Sequence, residues 1–100
     1  MKIKSTPSFK RELKQLAKKH YPINLLNDCL KAIANNDKPT LQKIRDHALT
    51  GKWKGYREFH PSRISSNKNQ YDSWIVIYKF EENQLILVLV ATGNHNILNK

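Results

Sequence analysis

Four histidines and 18 lysines and arginines supply most of the chemical options of this 100-residue chain. Histidine gives or takes a proton near neutral pH, and Lys or Arg can hold a phosphate. Metal-free RNA cleavage needs that combination. A base takes the proton of a ribose 2′-hydroxyl, whose oxygen attacks the neighbouring phosphorus. A cation then steadies the charged phosphorane, and an acid protonates the departing 5′-oxygen. His47, His60 and His95 all sit where strands are expected to begin or end, and strand ends and their loops display reactive side chains. Lys52, Lys54, Arg57, Arg63 and Lys79 lie in or near the same strands, and Trp53, Tyr56 and Tyr71 could stack on bases. Each also has a plainer reading. Aromatic residues in strands commonly pack the sheet, and single histidines are often structural. His20 closes a basic helix, where the dipole favours it.

Other chemistries are poorly supplied. No two histidines stand at the i, i+4 spacing of a helical metal site, and Cys29 is the one cysteine, so neither a zinc site nor an internal disulfide is expected. The three glycines are too scattered for a phosphate-binding loop, so no cofactor is expected. The longest apolar run, Leu85 to Ala91, is far too short to span a membrane, and residues 1–20 lack the apolar centre of a signal peptide. A single cytoplasmic domain covering residues 1–100 is the expectation.

The formal charge of +10 is unevenly spread. Residues 1–20 hold seven basic residues and one Glu, and residues 51–70 hold five basic residues and one Glu, while the remaining segments nearly cancel. Nucleic acid, an anionic membrane or an acidic protein are the usual partners of such a surface.

The elements follow from spacing. Lys2 to Ser5 is read as a first edge strand. Thr6-Pro7 has the form of a helix start, and Phe9, Leu13, Leu16, Ala17 and His20 mark one face of that helix. Lys10, Arg11, Lys14 and Lys18 occupy its other faces. Tyr21-Pro22 breaks it, and Ile23, Leu26, Cys29, Leu30, Ile33 and Ala34 trace a second helix closed by Asn35 to Pro39. Leu41 to His47 is a turn of helix or a loop. Trp53 to His60, Trp74 to Phe80 and Gln84 to Thr92 are predicted as strands, with Glu81-Glu82-Asn83 turning between the last two. The apolar run Trp74 to Tyr78 suits a central strand covered on both faces. Pro61 to Gln70 is polar and reads as a mobile loop. The fold class is therefore α+β: two N-terminal helices on a small, mostly antiparallel sheet.

The string from Asp46 to His60, with Asp46-His47, Leu49, Gly51, Trp53-Lys54-Gly55-Tyr56-Arg57 and His60 in order, closely resembles the signature of the YafQ branch of the RelE-like bacterial toxins. Trp74 to Lys79 resembles the next strand of that family, and Thr92-Gly93-Asn94-His95 its closing motif. The resemblance spans essentially the whole chain. It implies a βααβββ microbial RNase-like RelE fold and the toxin of a type II toxin–antitoxin system. It further implies a ribosome-dependent endoribonuclease, an mRNA interferase that meets messenger RNA in the ribosomal A site beside ribosomal RNA. A cognate acidic antitoxin, DinJ/RelB-like, would hold it inactive, and operator DNA would be met only through the antitoxin complex. Position by position, His47, His60 and His95 match the catalytic histidines, with His95 as general acid and His47 and His60 as base or phosphate-orienting groups.

Three departures stand out. The family usually places an Arg before the Thr-Gly-x-His motif, and here that residue is Ala91, so Lys52, Lys54, Arg57 and Lys79 are the candidates to replace its charge. An Asp commonly precedes the strand Trp, whereas Ser73 precedes Trp74, leaving Asp72 as the nearest equivalent and equally a turn residue. The family often ends in Leu-Phe, where this chain has Leu98-Asn99. The Ala91 departure supports a second reading: a catalytically weakened member that binds antitoxin and joins it on an operator without cutting RNA. A third, binding to an anionic membrane through the first helix, is the least supported, because the apolar face of that helix is needed for the core, and no membrane partner is expected.

Overall fold

The computed structural model describes residues 2–65, 71–81, 86–94 and 98. Strand β1 (Lys2–Ser5) leads into helix α1 (Pro7–Lys18). The join is built by Thr6, whose hydroxyl accepts the Phe9 N–H at 3.1 Å and donates to the Val90 carbonyl at 2.8 Å. One side chain thus caps the helix and ties it to the last strand, with Pro7 preset for the first turn. Phe9 and Leu16 are buried, and Lys10, Arg11, Lys14 and Lys18 are exposed, as the spacing predicts. Ala17 and His20, grouped by spacing with the apolar face, are exposed instead. The helix stops at Lys18 and His20 turns left-handed at φ 65°, so the periodicity does not run on.

Helix α2 (Leu25–Ala34) buries Leu26, Cys29, Ala32 and Ile33. Burial, with Asp28 adding to it, pushes the Cys29 thiol up to about 12, so it is a packed and unreactive group. Asp37, read from sequence as part of a helix stop, starts a third helix, α3 (Lys38–Lys43). Its carboxylate accepts the Thr40 hydroxyl at 2.8 Å and the Thr40 N–H at 3.4 Å.

The remaining strands are β2 (His47–Ala48), β3 (Arg57–Phe59), β4 (Ile75–Glu81) and β5 (Ile86–Gly93). The five form one sheet in the order β1-β5-β4-β3-β2, with β1 parallel to β5 and every other pair antiparallel. This is the expected α+β fold, with α3 and the two-residue β2 added to the expected βααβββ. The strand expected from Trp53 to His60 contracts to three residues. Gly51 and Gly55 adopt φ of 66° and 95°, which coil Gly51–Trp53 into a 3₁₀ turn before the chain extends.

β4 is central and buried on both faces. Val76 and Tyr78 join Phe9, Leu26, Cys29, Ile33, Ile44, Phe59 and Leu89 beneath the helices. Ile75 and Ile77 face the other way, against the half-buried Leu49, Trp53, Tyr56, Val90, Ala91 and Leu98. Part of the predicted mobile loop is also ordered: Pro61–Ile64 is a 3₁₀ turn with Pro61 and Ser62 buried, and the Ser62 hydroxyl donates to the Tyr71 carbonyl at 3.0 Å. A buried hydroxyl with a partner costs little, so the polar composition did not keep this stretch in water. The rest of that loop, residues 66–70, and the turn at 82–85 lie outside the described residues. Among the described residues no helix is long and apolar enough to cross a membrane.

Candidate functional site

The less covered face of the sheet carries His47 and His60. His47 on β2 stands opposite Glu58 on β3. Its Nε2 is 3.0 Å from Glu58 Oε1, and its Nδ1 is 2.8 Å from the Arg45 carbonyl oxygen. A carbonyl only accepts, so Nδ1 is the donor in that contact, and Nε2 faces the Glu58 carboxylate. The left-handed backbone of Arg45, φ 54°, turns its carbonyl to this position. His47 is therefore oriented from both ends of its ring.

His60 follows β3 two residues after Glu58, so both project to the same side as Ile75 and Ile77. It is 3% exposed. Its backbone N–H donates to the Ile44 carbonyl at 2.8 Å, and its Nδ1 donates to the Asp72 carbonyl at 3.1 Å. That bond makes Nε2 the acceptor nitrogen of the neutral ring. Asp72 thus reaches His60 through its main chain. Its exposed carboxylate instead takes the Arg63 fork, at 2.8 Å to Nε and 3.1 Å to the terminal nitrogen. His95 lies outside the described residues.

The five basic candidates separate. Lys52 and Lys54 are exposed around the Gly51–Trp53 turn. The Lys79 ammonium lies 5.5 Å over the Tyr56 ring, two residues along β4 from Ile77, the partner of Ala91. Arg63 is held by Asp72. Arg57 points to the opposite, helix-covered face, where it donates to Asp46 at 2.7 and 2.8 Å and to the Tyr78 hydroxyl at 3.3 Å. The Tyr78 hydroxyl in turn donates a short bond to Asp46. Burial alone would lower the Arg57 guanidinium, but Asp46 and Tyr78 together hold it above its usual value. Burial, and then Asp46, raise the Tyr78 phenol. Arg57 is thus part of a partly buried structural network, because strand alternation sends it away from Glu58.

Sequence reasoning missed how the closing motif is braced. Thr92 is 2% exposed. Its hydroxyl accepts the Trp74 indole N–H at 2.8 Å and donates to the Ile75 carbonyl at 2.9 Å, locking β5 to β4. Trp74 is fully buried and acts here as packing. The Thr92 N–H donates to the Glu12 carboxylate of α1 at 3.2 Å. β1 pairs with β5 only as far as Leu89, so Glu12 supplies the acceptor that a longer strand would have given. The signal was present in the sequence: Glu12 is the one acid among the basic residues of that helix. Among the described residues, no group of three or more His, Cys, Asp or Glu side chains is placed to hold a metal ion.

The chain has relatives among known proteins. Residues 1–100 match the family described as the bacterial toxin of type II toxin–antitoxin system, YafQ. The chain is 30% identical over 96 residues to the mRNA interferase toxin YafQ of Escherichia coli K12, covering 96% of this chain and 92% of that one. It is similar to the crystal structure of YafQ from E. coli BL21(DE3), with a TM-score of 0.74 at 28% identity, covering 98% of this chain and 97% of that one. It is also similar to a chain of the E. coli DinJ–YafQ toxin–antitoxin complex, with a TM-score of 0.72 at 30% identity, covering 98% and 96%.

Proposed function

The chain belongs to the YafQ family of toxins of bacterial type II toxin–antitoxin systems, and on that premise we propose that it is a ribosome-dependent endoribonuclease cutting messenger RNA by metal-independent acid–base transesterification. The observation that carries the reading is the pair of oriented imidazoles on one sheet face, His60 on the Asp72 carbonyl and His47 between Arg45 and Glu58. One of His60 and His47 takes the 2′-hydroxyl proton. The 2′-oxygen then bonds to phosphorus, and the P–O5′ bond breaks, leaving a 2′,3′-cyclic phosphate. His95 returns a proton to the 5′-oxygen. The other of the two orients the phosphate. Lys79 is the cation best placed to replace the charge absent at Ala91, with Lys52 and Lys54 gripping the flanking chain.

The DinJ–YafQ complex supports a cognate antitoxin as the partner of this chain, and the formal charge of +10 favours an acidic one. The exposed Lys10, Arg11, Lys14 and Lys18 of α1 offer that partner, or ribosomal RNA, a surface away from the histidines. One observation favours a second reading. Ala91 pairs with Ile77 and packs in the apolar cluster, so no guanidinium stands there, as befits a weakened member that binds antitoxin without cutting RNA.

Expression followed by primer-extension mapping of messenger RNA tests both. Growth arrest with codon-positioned cuts is expected, and His60→Ala and His95→Ala should each abolish the cuts while circular dichroism stays native. Wild-type toxicity and cutting in both variants would overturn the histidine mechanism. Intact messenger RNA under the wild-type chain would favour the second reading.

A further inference from the structure

Asp72 is held by two side chains from one short turn of chain. His60 and Arg63 flank the 3₁₀ turn Pro61–Ile64 at the i, i+3 spacing that brings its side chains into line, and the Arg63 N–H donates to the His60 carbonyl at 3.1 Å. The His60 ring donates from Nδ1 to the Asp72 carbonyl at 3.1 Å. The Arg63 fork takes the carboxylate of the same residue at 2.8 and 3.1 Å. Between them, the buried Ser62 hydroxyl donates to the Tyr71 carbonyl at 3.0 Å.

The Asp72 carbonyl needs such a hold. The Trp74 N–H donates to the Tyr71 carbonyl at 3.0 Å, so Tyr71 to Trp74 form a β-turn with Asp72 and Ser73 at its centre. The Asp72 carbonyl belongs to the central peptide of that turn. It takes no part in the closing hydrogen bond, and it is the group that reverses when a type I turn becomes type II. Type II asks for a positive φ at the third residue, which the side chain of Ser73 opposes. The Tyr71 ring, packed on Tyr21 with centroids 4.6 Å apart, anchors the start of the turn. What remains is tilt of the turn as a whole, and a two-nitrogen grip on the Asp72 side chain removes it.

We infer that Arg63 is a positioning residue for His60, acting through Asp72, and not a ligand of the RNA. The inference rests on the reading that the chain cuts RNA. It holds whether His60 serves as the base or orients the phosphate, because either role needs the ring aimed and its Nδ1 proton fixed. The charge balance agrees. The guanidinium is neutralised by a carboxylate, so the pair offers a phosphate no net attraction. The Asp72 side chain is 63% exposed and that of Arg63 34%, so the acid is the more outward of the two and screens the base from an approaching anion.

On programmed ribosomes Arg63→Ala should lower kcat about fivefold with KM unchanged, near the most that an exposed ion pair can enforce. Asp72→Ala and the double variant should fall by the same factor, because removing either partner removes the pair. Arg63→Lys keeps the charge without the fork and should recover only part of the loss. Ring-nitrogen spectra of the ¹⁵N-labelled protein, taken without ribosomes, should show Nδ1 of His60 protonated in the wild type and a mixture of tautomers in both alanine variants. Ser73→Gly, which frees the central peptide to flip, should give the same mixture with Arg63 intact. A raised KM in Arg63→Ala, together with a lowered KM in Asp72→Ala, would overturn the inference and make Arg63 an RNA ligand. Wild-type ring signals in Arg63→Ala would overturn it as well. If the wild-type chain cuts no RNA, the nuclease reading falls, and ring signals that shift alike in Arg63→Ala and Asp72→Ala still uphold Arg63 as the residue that aims His60.

Discussion

The two faces of the sheet are built from alternate residues of the same strands, yet they treat polar groups oppositely. On the helix-covered face, Asp46, Arg57 and Tyr78 satisfy one another, and the Asp46 side chain is only 3% exposed. On the other face, Glu58 and His60 are equally buried, but the contacts there fix the direction of imidazole rings. The covered face uses charge to complete a core. The histidine face uses burial to aim groups that exchange protons. A residue's chemical type therefore decides less than the face to which strand alternation assigns it.

Asp46→Ala is the strongest test of that contrast. It strands the Arg57 charge and the Tyr78 hydroxyl together, and should cost about 2 kcal/mol of stability, a figure reduced because Arg57 is 39% exposed and water recovers part of the loss. Chemical denaturation measures it, and cleavage per folded molecule should be unchanged. A fall in cleavage without a loss of stability would mean that Arg57 serves substrate after all.

A subtler change, Tyr78→Phe, should cost about 1 kcal/mol at neutral pH by removing a donor from Asp46. It also has a pH signature. The folded-state phenol is raised above its unfolded value of 10.0, so its contribution is complete below about pH 10 and is lost as pH climbs through the folded value. The wild type should therefore weaken above pH 10 and the variant should weaken less. Parallel alkaline limbs in urea titrations would show that the hydroxyl is not buried against Asp46.

The smallest effect is expected where the two faces meet. Glu12→Ala leaves the Thr92 N–H without its acceptor and should cost roughly 0.5–1 kcal/mol, with Glu12→Gln recovering most of it. Amide exchange at Thr92 should accelerate in the alanine variant only. Equal exchange in both variants would remove Glu12 from any part in holding the closing strand.

Much of this was legible in the chain. The Thr6-Pro7 start, the Phe9–Leu13–Leu16 spacing and the apolar run ending at Tyr78 each express a local rule, and each appears where the rule places it. The third helix was hidden because Asp37-Lys38-Pro39 reads equally as an ending or a beginning, and only the Asp37 bonds to Thr40 decide between them. The strand before His60 is shorter than its aromatic content predicts, because the two glycines coil the segment ahead of it.

By itself, then, the sequence determined the supply of reactive groups, the amphipathic elements and the signature of the family, since these depend on residue type and near-neighbour spacing. Which of five cations faces the histidines was decided by tertiary structure alone. Arg57 and Glu58 are adjacent in the chain and lie on opposite faces, and Asp46 and Tyr78, distant in sequence, claim the guanidinium before any substrate can. So too with His60: its ring is aimed by a carbonyl twelve residues away, a contact that exists only once the sheet has closed.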